Sequence, residues 1–414
     1  MTETPFVTRG YHRDWLMTRA TDLVGFFARG SVNETGGFHF LDADGAPRTN
    51  APRGSGNERE LFATCRMVHC YAAAHVLGEP LAWDIMDHGM RYLAEAHADA
   101  THGGWYWGLD DAGVTRGEKL AYGHAFVLLA AASAGEAGHP AARALHDAAF
   151  ETILTRFWDD EAGAMKEEFN ADWTAFSDYR GQNSNMHSTE ALMAAFEAWG
   201  EAQALTMAER IADLIINRHA RAAGWVVPEH FDTAWDVLPD YAGDPMFRPA
   251  GTTPGHALEW ARLLIQLWNL GGKRHDWMPE AAKALFLTAV DGAWDTARGG
   301  FYYTLDWDGT PAMRNRFWWP LCEAAGAAAV LRATFDEPIF ETWYRRIWAV
   351  LDRDFIDHSR GGWWAEAGAD GAPVETVFAG KPDIYHALQA CLIPLVPAET
   401  GLLKGIKALD GSLR

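Results

Sequence analysis

The chain has 414 residues, about half of them apolar, and a formal net charge of −21. That apolar content supports a large buried core and excludes a disordered chain. A surface this acidic repels phosphate backbones and anionic lipid head groups, so nucleic acid and membrane partners are not expected. No run approaches the roughly 18 apolar residues that span a bilayer. The first residues, MTETPFVTRGYHRDW, lack a basic segment followed by an apolar stretch, so no signal peptide is expected. Cys65, Cys70, Cys322 and Cys391 form no CxxC or zinc spacing and read as reduced core residues of a cytoplasmic protein. The 20 tryptophans either fill the core or stack on flat ligand faces.

In chain order, a helix over 11–29 precedes a glycine-rich aromatic stretch, GGFHFLDADG from Gly36, and helices over 57–77 and 82–97 follow it. The same series recurs. GGWYWGLDDAG from Gly103 leads into helices over 118–135 and 140–157, and GAMKEEF from Gly163 into 184–199 and 202–218. GWVVPEHFD from Gly224 leads into 256–270 and 279–294, and GGFYYTLDWDG from Gly299 into 316–333 and 338–354. GGWWAEAGADG from Gly361 is followed by a helix over 384–394. Alternating residues closed by Asp and Gly read as short β-hairpins, each too small to stand alone. The first helix of a pair, such as AYGHAFVLLAAASAG, is apolar nearly all round and belongs inside; the second, such as EAQALTMAERIADLIINRHA, has one apolar stripe and belongs outside. The helix over 11–29 completes the sixth pair. The expectation is an all-α (α/α)6 barrel of six helix-pair repeats with β-hairpins in its connections, forming one catalytic domain over 1–414.

In such a ring the starts of the inner helices meet at one mouth. Polar residues stand there in apolar sequence: Arg66; Tyr122 and His124; Asn183, Asn185 and His187; His256 and Glu259; Trp318, Trp319 and Glu323; Asp383 and His386. Asn183 and His187, and His256 and Glu259, are spaced to share a helix face. A lone histidine on an apolar helix is commonly a satisfied core residue. Arg66 could equally neutralise a buried carboxylate such as Glu323, and the two tryptophans could be core. Histidines at similar places in three repeats argue instead for a shared site.

Such residues suit a neutral polyhydroxylated ligand, and two histidines can move protons near neutral pH. A glycoside hydrolase needs two facing carboxylates, which Glu259 and Glu323 could supply. A non-enzymatic sugar-binding module is a third reading. Three histidines allow a metal, but HxH, HExxH and dense acidic clusters are absent. GxGxxG after a strand and GxxxxGK[ST] are absent too, so neither metal nor nucleotide cofactor is expected.

The blocks GGFHFLDADG, RELFATCRMVHCYA, GGWYWGLDDAG, YRGQNSNMHSTEA, EHFDTAWDVLPDY, GTTPGHALEWARL, WWPLCEAAG and GKPDIYHALQACLIP run almost from end to end. In them the chain resembles the N-acylglucosamine 2-epimerase superfamily, in its aldose–ketose isomerase branch. The resemblance implies an (α/α)6 barrel, in agreement with the repeat, and a reaction without metal or cofactor. It implies that His386 is the base that moves a proton between C2 and C1 through a cis-enediol. It implies that His256 assists ring opening and proton transfer to oxygen. Arg66, Tyr122, Asn183, His187, Glu259 and Trp319 stand where the family binds sugar hydroxyls, with Arg66 set to stabilise enediolate charge.

Three departures bear on substrate. Pro382 stands where the branch's sulfoquinovose isomerases carry a glutamine, and proline offers a sulfonate no side-chain donor. Arg59 replaces a small polar residue and either compensates or sits outside the pocket. RGSGNE at 53–58 reads as a loop insertion near the mouth. Together these favour D-mannose with D-fructose, or D-lyxose with D-xylulose, over sulfoquinovose, and the better fit of the isomerase blocks argues against 2-epimerisation of disaccharides. The expected partner is a small monosaccharide, and the sequence leaves the oligomeric state open.

Overall fold

The computed structural model describes residues 4–48 and 57–409. Its α-helices, in chain order, are α1 (Gly10–Gly30), α2 (Leu61–Val76), α3 (Ala82–Tyr92), α4 (Ala121–Glu136), α5 (Ala142–Thr152), α6 (Gln182–Trp199) and α7 (Ala202–Ala212). There follow α8 (Pro254–Leu270), α9 (Trp277–Ala293), α10 (Trp318–Phe335), α11 (Pro338–Val350), α12 (Tyr385–Leu392) and α13 (Leu402–Ala408). Wider π-type turns prolong α3, α5, α7 and α11, and α13 was not anticipated from the sequence. No described helix is long and apolar enough to cross a membrane.

A helix without a polar face has no side to offer water, and such helices form the inside. In α4 every residue from Ala121 to Ala134 is buried. α2 packs on α4, α4 on α6, α6 on α8, α8 on α10, α10 on α12, and α12 back on α2. The ring is therefore closed. The amphipathic helices α3, α5, α7, α9 and α11 back α2, α4, α6, α8 and α10 from outside, and α1 backs α12. The sixth pair is thus built from the two ends of the sequence, as the repeat implied.

Hairpins form as expected after Gly103 (Gly108–Asp110 with Gly113–Arg116) and after Gly299 (Thr304–Leu305 with Pro311–Met313), and pairings between repeats add to them. The residue two positions before an inner helix pairs antiparallel with the turn of the neighbouring repeat: Arg59 with Leu109, Lys119 with Phe169, Arg180 with Phe231, Arg316 with Ala367. Thr252 with Leu305 follows the same spacing, and Lys381, four positions before α12, pairs with Leu41 to complete the set. Alternating sequence reveals which side chains share a face but not which strand lies alongside, so these stitches between repeats were not anticipated.

Four of these six positions carry buried cations that hold turns around them. Lys119 Nζ donates to Asp99 Oδ2 (2.7 Å) and to the Gly103 carbonyl. Lys381 Nζ does the same with Asp357 Oδ2 (2.8 Å) and the Gly361 carbonyl (2.5 Å). Arg316 donates to the carbonyls of Gly299 (2.7 Å) and Gly368 (2.9 Å). Arg59 donates to Tyr92 Oη (3.1 Å) and Asp111 Oδ1 (2.8 Å), which settles its place as a structural staple outside the pocket. Residues 53–56 of the expected loop insertion lie outside the described residues.

The ring closes between Lys381 and Leu41, where backbones approach too closely for a side chain. Gly380 has φ +67°, and a Cβ there would lie 2.2 Å from the Leu41 carbonyl oxygen; Gly251, at φ +81°, meets the Leu305 oxygen at 2.3 Å. Gly380→Ala should therefore lower stability by about 1–3 kcal/mol, through strain and a weakened closing stitch. Thermal unfolding measures this, and an unchanged Tm would show that the closure does not depend on the close approach.

Several histidines are scaffold. His124 Nδ1 donates to the Leu120 carbonyl (2.8 Å) and its Nε2 accepts the Trp105 N–H (3.2 Å), so it is a core residue and not part of the mouth. Burial lowers His69 and His97 to about 4 and His124 to about 3, from 6.5. Between those values the unfolded chain holds protons that the folded chain lacks. Stability from these groups is therefore complete above pH 6.5 and is lost as pH falls toward 4. Calorimetry across that range should show Tm falling with pH and net proton uptake on unfolding. A Tm that stays flat down to pH 4.5 would contradict neutral burial of the three.

Candidate active site

The stitches set six helix N-termini at one face, so first-turn side chains converge there. Arg66, Tyr122, Asn183, His187, His256, Glu259, Trp319 and His386 all line one cavity of about 130 Å³. Trp318 and Asp383 line it as well. Asn185 does not: its Oδ1 accepts the Met165 N–H (2.7 Å) and its Nδ2 donates to the Gly181 carbonyl (2.8 Å), which secures the start of α6.

His256 and His386 face the cavity from α8 and α12. Nδ1 of His256 lies 2.9 Å from both carboxylate oxygens of Glu229, and Nδ1 of His386 lies 2.7 Å from Glu323 Oε1. An ionised carboxylate can only accept, so each Nδ1 carries the proton and each Nε2 keeps its lone pair for the cavity. The Trp319 ring lies beside both, with centroids 5.2 Å from His256 and 5.6 Å from His386.

Burial alone would raise the Glu229 carboxyl, but His256 and Gln182 outweigh it and hold the group below the ordinary range. Gln182 Nε2 donates to it at 2.9 Å and the Thr253 N–H at 3.2 Å. Glu323 is likewise ionised despite burial, held by Arg262 Nε at 3.1 Å and by His386. Glu229 escaped the sequence reading. It sits in the turn of the fourth repeat, in the block EHFD, whose neighbour His230 faces away toward Pro249. The only signal was an acidic residue beside a stitch.

Arg66 does not reach Glu323, contrary to one expectation. Its Nη1 pairs with Asp383 and its Nη2 donates to Tyr122 Oη (3.0 Å), because the start of α12 lies nearer to α2 than α10 does. The guanidinium also lies 4.6 Å from the ring centroids of Phe126 and Tyr385. Burial opposes its charge, and Asp383 more than restores it.

Deeper in the ring, Glu259 is fully buried and neither of its oxygens has a hydrogen-bond partner. Burial, and then the neighbouring Glu323, push its carboxyl well above the usual range, which makes it a neutral hydrogen-bond donor. His187 Nδ1 lies 3.7 Å from both Glu190 and Glu259, and burial lowers this imidazole to about 4. Two groups, His187–Glu190–Glu259 and Glu259–Glu323–His386, hold possible metal ligands within 4.8 Å of one another. The Arg262 guanidinium already stands among them as the cation, 3.5 Å from Glu190 and 3.7 Å from Glu259. Glu323 is committed to His386 and Arg262, which leaves it unavailable to face Glu259 as a hydrolytic pair.

The interval from Gly224 to Gly299 is the longest between repeats, and part of the excess folds over the mouth. Phe247 packs on Phe62, Trp107 and Tyr122 with centroid distances of 5.5–5.8 Å. Asn183 Nδ2 donates to the Phe247 carbonyl (3.3 Å), so this residue holds the covering loop as well as lining the cavity.

A closed double ring of helices with two carboxylate-backed histidines at its mouth defines the class of (α/α)6-barrel enzymes. The chain belongs to the N-acylglucosamine 2-epimerase (GlcNAc 2-epimerase) family, which it matches over residues 36–390. It is 43% identical to the D-mannose isomerase of Pseudomonas cannabina pv. alisalensis over 96% of each chain. To that of Thermobifida fusca it is 42% identical, over 96% of this chain and 98% of the relative. A crystal structure of a D-mannose isomerase superposes with a TM-score of 0.85 at 30% identity, covering 92% of this chain and 97% of that one.

Glu229→Gln keeps an acceptor for His256 but removes the charge that stabilises its protonated form. Sugar turnover should fall by about tenfold or more with the protein still folded. Wild-type turnover in this variant would remove Glu229 from the catalytic pair.

Proposed function

We propose that the chain is an aldose–ketose isomerase that interconverts D-mannose and D-fructose, with D-lyxose and D-xylulose as a shorter pair, acting as one catalytic domain in the cytoplasm. The observation that carries this reading is the pair His256 and His386, each held by a buried carboxylate and each offering a basic Nε2 to the same cavity. The likeness to D-mannose isomerases supports the choice of sugar. Pro382 lies in the cavity wall and gives a sulfonate no donor, which weighs against sulfoquinovose.

The chemistry follows from these positions. His256 moves a proton between the ring oxygen and O1, opening the pyranose. His386 Nε2 then takes the C2 proton; the C2–H electrons form the C1=C2 bond, and the carbonyl electrons move to O1, which receives the O2 proton through His256 Nε2. In the cis-enediol anion so formed, the electrons left on O2 form the C2 carbonyl and the C1=C2 electrons move to C1, where His386 returns its proton. Glu323 and Glu229 stabilise the imidazolium forms that appear in turn. Arg66 and the neutral acid of Glu259 face the oxygens that gain negative charge.

Incubation of purified protein with D-mannose in D2O, followed by NMR, tests the reading. Fructose should form, and His386→Ala should lower the rate by about 10²-fold or more. Absence of ketose from both mannose and lyxose would overturn the proposal.

A further inference from the structure

The second residue of an inner helix, three positions after its stitch, serves the cavity wherever it has a side chain. In α2, α4, α6 and α10 it is Phe62, Tyr122, Asn183 and Trp319, and all four line the sugar cavity. In α8 the same position is Gly255, directly before His256. Its place inside a helix does not ask for glycine, because alanine is the better helix former. The backbone there is not left-handed either, so no turn requires it.

The space that a fourth-repeat side chain would take is filled by the fifth repeat. A Cβ added at Gly255 would lie 2.6 Å from both Cζ3 and Cη2 of Trp319 and 3.0 Å from Pro320 Cγ. Non-bonded carbons pack at about 3.5–4.0 Å, so the far edge of the indole fits only where the side chain is missing. That indole is buried and is in ring contact with both histidines of the pair, tilted 35° to His256 and 37° to His386. The buried ring of Tyr303 meets it edge-on, with centroids 6.0 Å apart, and restrains it further. An added methyl would move either the ring or the start of α8, and the next residue of α8 is His256. Both movements change the spacing between Trp319 and the pair.

We propose that Gly255 is a positioning residue of the isomerase site: having no side chain, it seats the Trp319 indole against α8 and so sets the surface on which the sugar meets His256 and His386. The proposal rests on the isomerase reading above. Gly255 touches no reacting atom and acts through the indole. A sugar shifted by about 1 Å from two Nε2 lone pairs can lose on the order of 10²-fold in rate.

The test measures kcat/KM for D-mannose in wild type, Gly255→Ala, Trp319→Phe and the double variant. Gly255→Ala should lower kcat/KM by about tenfold or more. Phenylalanine lacks Cζ3 and Cη2 of the indole, so in the Trp319→Phe background the same alanine should cost less than about twofold. A need for glycine in the helix itself would cost the same in both backgrounds. Equal losses, or no loss with Trp319 present, would overturn the proposal. Crystal structures without sugar give a second reading: in Gly255→Ala the spacing of the indole and His256 should change by about 1 Å, the shortfall from ordinary contact. An unchanged spacing overturns the proposal whatever the sugar. If Gly255→Ala does not fold, the double variant should, because the collision is gone; a double variant that is equally unfolded overturns it too. Wild-type protein that leaves mannose and lyxose unconverted, with the spacing changed in Gly255→Ala, refutes the isomerase reading and supports the seating of Trp319 by Gly255.

Discussion

Backbone pairing at the start of each inner helix is the constraint on which the site depends. A helix begins with N–H groups that have no partner of their own. Here the neighbouring repeat supplies one: the N–H groups of Leu61, Ala121, Gln182 and Trp318 donate to the carbonyls of Trp107, Glu167, Glu229 and Ala365 at 2.8–3.2 Å. At the fourth helix the matching residue is Pro254, which has no N–H to satisfy and is favoured in a first turn. Each such bond fixes both the height and the rotation of a helix. Residues drawn from six distant parts of the sequence therefore reach one cavity.

Within that frame one residue type takes different charge states through its surroundings. Glu229 and Glu323 are as buried as Glu259, yet they are ionised because a histidine and further donors surround them. Glu259 lacks such donors and remains neutral. Two ionised carboxylates beside histidines and one neutral acid are thus obtained from a single side chain. Arg262 balances the layer and prevents three adjacent carboxyls from repelling one another.

The repeat made the ring legible, because helix periodicity and glycine turns are local properties of sequence. Residues on the first turns of inner helices were legible for the same reason: Arg66, His187, His256 and His386 stand where a helix start places them. Partnerships were not. Asp383 as the mate of Arg66, and Glu229 behind His256, join residues brought together only by the pitch of neighbouring helices. His124 shows the reverse error. It occupies the right turn of the right helix, but its face points between the two rings, where backbone groups satisfy both nitrogens.

The pairing of α1 with α12 has a consequence for how the chain is made. The helix α1 carries Leu16, Leu23 and Phe27 for burial, and it backs α12, an element more than 350 positions further along the sequence. The Phe6 N–H and its acceptor on Glu341 are 335 positions apart. During translation this apolar stripe must wait, exposed or temporarily sheltered, until almost the whole polypeptide has emerged. Five helix pairs can dock in the order of their synthesis, but the sixth cannot. Closure of the ring therefore waits for α12, and until it emerges α1 has no inner helix to back.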